Sequence, residues 1–596
     1  MISNVAGQIV ELRQYKSATP TGAYDSTKYV YDSAGNLSKL TDPAGTVWSW
    51  TYDQRGRLTK SVDPDAGTSL TSYNDRGEVS STTDGRGKTV ASVYDNLSRR
   101  LETRDGSATG PLLTSQVWDP ANNKGQLSST SRFSTVGGVT REYKTAYSFF
   151  DSMGRPTRTT VTVPSVPGQE ALAGNYLTST TYRFDGQIGS LYYPAAGNLT
   201  AETVAFTYDG LHRLTAVGNS LTNQTYQTGQ TYSLTGKPLQ TTLSNGTANK
   251  QVYVTDSYEW GTQRLASSRT DQYGIATPAR AAAYTYDQAG NVTSLTDTSS
   301  SGTDRQCYQY DYLARLTQAY TPNTGSCTAP SGTQLGGPAP YWTSWTYNTN
   351  GTRATETRHD PAGNTAQDAT TSYTYPANRP HALASTSTTT GALGTPVVES
   401  YGYDDAGNTT TRTLKPAPNQ TSDQTLTWNT EGRLDQTVTT SRTGTTTTGT
   451  TTTDYLYDAA GNRLIGHTAD TTNPTAENWT LYLGATELKL VKGASKATAT
   501  RYYSLTGATA VRTDDNKITF QITDHHGTAT VGIDATTGTV NQRRSLPFGA
   551  TRGTAPTTWA GTRGFLGGTD EPTGLTHLGA RDYDPTTARF LSVDPS

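Results

Sequence analysis

Tyr31-Asp32-Ser33-Ala34-Gly35-Asn36-Leu37 is followed by Tyr52-Asp53-Gln54-Arg55-Gly56-Arg57-Leu58, Tyr73-Asn74-Asp75-Arg76-Gly77-Glu78-Val79 and Tyr94-Asp95-Asn96-Leu97-Ser98-Arg99-Arg100, so the leading aromatic steps by 21 residues three times running. Self-similarity at a fixed short period marks an architecture of stacked units. Each position has a local job. Val47-Trp48-Ser49-Trp50-Thr51-Tyr52 alternates β-branched and aromatic residues with small polar ones, a strand pattern. The Asp accepts hydrogen bonds from turn amides, and the Gly three residues later supplies positive φ. Leu or Val then restarts a strand, so one unit predicts a hairpin. A lone hairpin is marginal in water, and neighbours must pair edge to edge into one long sheet. Looser copies bring the repeats to ten: Tyr208-Asp209-Gly210, Tyr286-Asp287-Gln288-Ala289-Gly290, Tyr347-Asn348, Tyr403-Asp404-Asp405-Ala406-Gly407, Trp428-Asn429 and Tyr457-Asp458-Ala459-Ala460-Gly461.

The composition points the same way. Of 596 residues only 32% are hydrophobic, 58 are Gly and 37 are Tyr, against roughly 45–50% apolar residues, counted with Gly, in ordinary globular chains. A thick aliphatic core is therefore not expected. Disorder does not fit either, because disordered chains are highly charged and poor in aromatics, whereas this one carries a net charge of −2. The expectation is an all-β, thin-walled and hollow structure, with a radius of gyration above the roughly 25 Å of a solid globule of this length. The balance of 48 basic and 50 acidic residues leaves no footprint for nucleic acid. No apolar run is long enough for a membrane span, and the N-terminus shows no signal-peptide pattern.

The Tyr-Asp-x-x-Gly-Arg-Leu unit resembles that of the YD-repeat, or Rhs (rearrangement hot-spot), family, over roughly residues 20–510. The resemblance extends to bacterial polymorphic toxins, Tc-toxin C components and teneurins. It implies a sheet wound spirally into a hollow shell, with many tyrosines on its inner face. Residues 1–20 are read as an N-terminal segment or part of the first repeat, 21–501 as the repeat shell, and 502–596 as a C-terminal plug. The plug contains Asp524-His525-His526-Gly527, Arg581-Asp582-Tyr583-Asp584-Pro585 and Arg589-Phe590-Leu591-Ser592-Val593-Asp594-Pro595, which resemble the Rhs-associated core region that closes one end of the shell. Asp582 stands where many relatives carry a second Tyr.

The resemblance further implies an enclosed C-terminal toxin polypeptide absent from this sequence, a delivery or secretion apparatus as partner, and a secreted or cell-surface bacterial setting. In relatives, two acidic elements form an aspartyl autoprotease. Asp594 matches the first and the second is missing here, so no self-cleavage is expected; a turn-capping role for Asp594 is the alternative. Encapsulation ranks first as function, a teneurin-like adhesin second, and autoproteolysis last.

Other residues carry weaker signals. Asp524-His525-His526 is read as a structural turn, because adjacent strand residues face opposite ways and no further ligands lie nearby; no metal and no cofactor are expected. Asp404-Asp405 and Asp514-Asp515-Asn516 lack calcium-loop spacing and are read as turn chemistry. Cys307 and Cys327, the only cysteines, lie about one repeat apart. On adjacent strands they would form a structural disulfide; buried free thiols are the alternative. The Thr-rich run from Thr443 to Thr453 is read as an exposed loop.

Overall fold

The protein is described by a computed structural model, covering all residues except 18–19, 220–223, 328–329, 331–333, 393 and 595–596. One antiparallel sheet of 43 strands runs from Ile2–Ser3 to Val540–Gln542. Each strand pairs with the next in sequence, a pure meander, as in Val47–Tyr52 with Leu58–Asp63 and then Gly67–Tyr73. Among the described residues, helical content is confined to short 3-10 turns such as Glu170–Leu172.

The repeat residues account for this pairing. Asp53 Oδ1 accepts from the amides of Arg55 and Arg57 at 2.8 and 3.0 Å, and Oδ2 accepts from Arg57 Nε at 2.7 Å. Asp32, Asp209, Asp404 and Asp458 accept in the same i+2, i+4 pattern, while Asp287 accepts from Gly290 and Asn291. Gly35 and Gly56 turn the chain at φ +88° and +75°. The tyrosine stitches hairpins together. The Tyr52 hydroxyl donates to Leu37 O at 3.0 Å, across to a strand of the preceding hairpin, and Tyr31, Tyr208, Tyr286, Tyr403 and Tyr457 repeat the bond to Ile9, Ile188, Leu265, Leu383 and Leu434. The turn arginine stacks over the next tyrosine, Arg57 at 4.4 Å from the Tyr73 ring and Arg213 at 4.5 Å from Tyr232.

Where a repeat lacks the glycine, a side chain is held at positive φ, as at Ser98, His212 and Ala314. Ala314 is exposed, with φ +58°. Ala314→Gly should therefore stabilise the fold by about 1 kcal/mol, read as a higher denaturant midpoint; Gly56→Ala should move it the opposite way.

The sheet winds on itself. Ties between its parts join residues 243 to 343 positions apart in sequence. His381 N donates to Asp65 Oδ1 at 2.9 Å, Arg86 reaches Trp428 O and Asn429 O at 3.1 and 2.9 Å, Asn198 N reaches Asp514 at 2.7 Å, and Arg501 pairs with Glu202 at 2.8 Å. A first winding thus carries a second along one edge. The accessible surface, 28433 Å², exceeds the roughly 20,000 Å² of a solid globule of this mass. A wall with two wet faces has that excess.

Residues 1–20 enter the sheet through Ile9–Tyr15, and the meander passes residue 501 to reach Gln542. Two expectations are corrected. The Thr-rich run is no loop: it forms the paired strands Leu434–Thr443 and Thr446–Tyr457, because Thr is β-branched and suits a pleated surface. Aliphatic cores do exist where the windings meet. Val204, Leu243 and Val254 pack with Phe520, Ile522, Val531 and Ile533, and Leu172 and Leu199 pack with Leu464, Leu481 and Leu488.

Candidate functional site

Two regions stand out: the C-terminal strap docked on the wall, and the edge of the first winding that carries no second layer.

The strap, residues 543–594, ends in a four-stranded sheet, Thr569–Asp570, Thr576–Leu578, Arg581–Asp584 and Arg589–Phe590. Two wall arginines hold it. Arg412 Nη2 contacts Asp584 Oδ2 at 2.6 Å, and Arg463 bridges Asp582 Oδ1 at 3.0 Å and Glu571. All are buried. Burial pushes the Glu571 carboxyl upward; burial pushes Asp582 the same way, but Arg463 and His577 hold it below the usual carboxylate range. Thr409 N and Oγ1 donate to Leu591 O at 2.7 and 2.8 Å, Arg589 donates to His381 O, and the Tyr583 hydroxyl donates to Phe548 O at 2.8 Å. Phe590 lies edge-on to Tyr583 at 5.4 Å and beneath Arg581 at 3.8 Å. Pro585 lines a small cavity with Trp345, Arg353 and Phe548. Gly407 is required where it stands: a Cβ there would come within 2.9 Å of Asp65 O and Val593 Cγ1.

Asp594 follows this sheet with its side chain 82% exposed, and its one ion pair among the described residues is with Arg581 at 3.5 Å. Pro595 lies outside the described residues. Asp524 caps its turn as the repeat aspartates do, accepting from His526 N and Thr528 N at 2.9 Å each, with Gly527 at φ +85°. His525 packs edge-on to Tyr284 at 4.9 Å. Burial, then the neighbouring His526, lowers its pKa to about 4. An unfolded chain takes up a proton near pH 6.5 that this folded site refuses, so its contribution weakens the fold as pH falls from about 6.5 toward 4. His525→Phe should flatten the stability–pH curve over that window, as measured by denaturant titrations at pH 4.5 and 7.

Cys307 and Cys327 are bonded, with Cα atoms 5.7 Å apart. Their placement differs from the adjacent-strand expectation. Cys307 lies on the strand Gly302–Tyr310 opposite Tyr320, and Cys327 lies in the loop beyond Tyr320.

At the free edge, five successive repeat turns each present an apolar side chain to solvent: Met153, Phe184, Leu211, Leu234 and Trp260, with Phe184 104% and Trp260 95% exposed. Turns of a meander that share an edge recur every second strand, about 10 Å apart, so these side chains form a row. An open groove of about 710 Å³ between the first two is lined by Met153, Arg155, Arg158, Tyr182 and Phe184. Exposed apolar rows of this kind mark contact surfaces. The repeat frame hides them, because they stand at two different places, one residue into the turn at Phe184, Leu234 and Trp260 and two residues in at Met153 and Leu211, and neither place belongs to the repeat signature.

A wall of tyrosine–aspartate hairpins, wound on itself and strapped at its C-terminal end, defines a β-shell of the YD-repeat kind. The RHS Repeat family model matches residues 31–68. Toxin subunit YenC1 of Yersinia entomophaga is 26% identical over 410 residues, 61% of this chain and 39% of that protein. The crystal structure of TcdB2-TccC3 superposes over 99% of this chain and 30% of its own, at 20% identity and a TM-score of 0.78; TcdB2-TccC3 without its hypervariable C-terminal region matches equally well in TM-score, at 19% identity. The chain thus spans about two fifths of the length of its curated relative and under a third of the matched solved chains. It carries a match to the RHS Repeat over residues 31–68 and shares the shell fold of the Tc-toxin structures it superposes on.

Proposed function

We propose that this chain forms part of an encapsulating, non-catalytic shell that sequesters a toxin polypeptide following its C-terminal strap. The observation that carries this reading is the wall itself, whose two-faced surface far exceeds that of a solid globule, with the chain's C-terminal end bound to it through Arg412 and Arg463. A hypervariable C-terminal region is named for the matched TcdB2-TccC3 structure, which supports a variable cargo at the same end. A polar, tyrosine-rich wall suits the task, because many weak contacts hold a polypeptide without large apolar patches that trap it. The exposed row from Met153 to Trp260 suits the docking of the remainder of a toxin complex. The relatedness to a toxin subunit supports a secreted protein; among the described residues, no helix is long and apolar enough to cross a membrane.

The test fuses a small nuclease domain after residue 596 and digests with a non-specific protease. Encapsulation predicts survival of the nuclease long after the free domain is gone. Equal digestion rates would end the reading. Saturable binding of the isolated shell to cells or to a glycan array, with no protection of the fused domain, would put the adhesin first.

A further inference from the structure

We propose that His381 is a proton-operated clasp, closing the seam between the two windings while its ring is charged and letting that contact loosen in alkali. The loop that carries it, residues 375–384, joins the strands Ala369–Thr374 and Ser385–Thr390 of the second winding. It lies against three turn aspartates of the first winding. His381 N donates to Asp65 Oδ1 at 2.9 Å, and its Nδ1 lies 2.6 Å from Asp65 Oδ2. The second ring nitrogen, Nε2, faces another carboxylate, 3.6 Å from Asp42 Oδ2. That oxygen is buried with no hydrogen-bond partner among the described residues, while Asp42 Oδ1 accepts from the amides of Ala44 and Thr46 at 2.9 and 2.7 Å. Asp63 completes the acidic pocket. Its Oδ1 accepts from Asp65 N and Ala66 N at 2.7 and 2.8 Å, and its Oδ2 from Trp48 Nε1 at 2.7 Å. The Trp48 ring lies 5.4 Å from the imidazole.

Both ring nitrogens thus face carboxylates, and only the imidazolium carries a proton on each. A neutral ring that keeps its bond to Asp65 turns a lone pair toward Asp42. No other cation near the loop takes its place. Arg589 of the strap reaches the His381 carbonyl rather than the ring, and Arg379 of the same loop is engaged by Asp404 O and Asp405 Oδ1. Arg86 of the first winding is held by Asp84 and by Trp428 O and Asn429 O, with Asp404 at 3.8 Å. The Asp65 hydrogen bond raises the pKa of the ring above its ordinary 6.5, burial lowers it, and the charges of Asp65, Asp42 and Asp63 add to the rise. Burial pushes the Asp65 carboxyl upward, but His381 holds it below its usual range. Because the folded histidine pKa is raised, the clasp is at full strength below about 6.5 and is lost as pH rises through the folded value. The loop's hydrogen bonds to the first winding run through His381. The neighbouring ties, Tyr312 to Asp25 on one side and Arg86 to Asn429 on the other, do not involve it. Loss of the charge therefore loosens the contact between them and leaves the rest of the seam closed. The clasp acts on the wall, and stands whether or not a cargo lies inside.

The experiment follows the full chain from pH 6 to pH 9. An imidazolium beside an indole quenches its emission, so Trp48 fluorescence, taken as the difference between the protein and its Trp48→Phe variant, reports the ring; its midpoint should lie above the ordinary 6.5. Amide exchange, expressed as protection relative to the free-chain rate at each pH, reports the contact. Protection across residues 375–384 should fall by about tenfold for each pH unit by which the midpoint exceeds 6.5, while the core strands Asn478–Leu483 and Thr486–Val491 stay protected. Asp42→Asn keeps the turn acceptor but removes the facing charge, and should lower the midpoint and shrink the response. His381→Gln should be less protected at pH 6 and show no further fall at pH 9. A midpoint at or below 6.5, unchanged protection over 375–384, an equal fall in the core strands, or an undiminished response in the glutamine variant would each overturn the clasp.

Discussion

Glu202→Ala should lower the stability of the shell by about 3–5 kcal/mol, the range for a buried ion pair that loses one partner. Glu202 and Arg501 are fully buried where the two windings meet. The carboxylate accepts from Arg501 Nη1 at 2.8 Å, from the Tyr226 hydroxyl at 3.0 Å and from the Tyr503 hydroxyl, and it pairs with Arg512 at 3.2 Å. Burial pushes this carboxyl upward, yet the Tyr503 hydroxyl and the two arginines hold it below its ordinary value. Truncation strands a desolvated guanidinium between layers 299 residues apart in sequence. Its remaining acceptors are Pro194 O at 2.6 Å, Thr486 Oγ1 at 3.1 Å and Thr200 O at 3.5 Å, none of them charged. Because the folded pKa is depressed, the stabilisation is present above the unfolded value and is lost as pH falls through the folded one. The gap between wild type and variant, read from denaturant midpoints, should therefore close in acid. Glu202→Leu combined with Arg501→Met should recover much of the loss, since a well-packed apolar pair can replace a buried ionic one. A loss below about 1 kcal/mol, the scale of an exposed pair, would show that the windings do not depend on this junction.

That junction also marks the boundary of what is legible in the residues alone. The hairpin is legible because Tyr52, Asp53, Gly56 and Arg57 do their work within a few residues of one another, and local requirements leave a local period. The winding is not. His381 on Asp65 and Arg86 on Asn429 depend on where a long curved sheet returns to itself, and no period connects positions some three hundred apart. The aliphatic clusters are hidden for a related reason: Leu481, Phe520 and Ile533 are diluted among Thr, Ser and Gly, and only the second layer gathers them. The row from Met153 to Trp260 leaves no signal because its residues stand at two different turn positions, both outside the repeat signature. At the C-terminal end the resemblance marks Arg581, Tyr583, Asp584 and Arg589. It flags Asp582 only as a departure from relatives, and holds no sign that this carboxylate meets Arg463 across 119 residues.

Arg463→Ala tests that meeting, and its expected effect is comparable, about 3–5 kcal/mol. Arg463 is the shared cation for Asp582 and Glu571, and its guanidinium also lies 3.9 Å from the Tyr455 ring. Without it two desolvated carboxyls face each other with one histidine, His577 at 3.1 Å from Asp582, left to balance them. The terminal four-stranded sheet of the strap is the smaller partner, so the cost should appear first as its release: protease should cut near residues 569–591 while the core strands resist. The pH dependence should change at Asp582, since Glu571 is already raised by burial in the wild type. In the wild type the Asp582 contribution is lost as pH falls, because its folded pKa lies below the ordinary value. In the variant both carboxyls should be raised by burial and mutual repulsion, so protonation relieves the strap and its attachment should strengthen as pH drops through their folded values. Arg463→Lys should fall between the two, since an ammonium can neutralise one carboxylate but lacks the planar fork that spans both. If the strap of the alanine variant stayed as protected as the wild type's at neutral pH, the arginine bridge would not be what fastens this end of the wall.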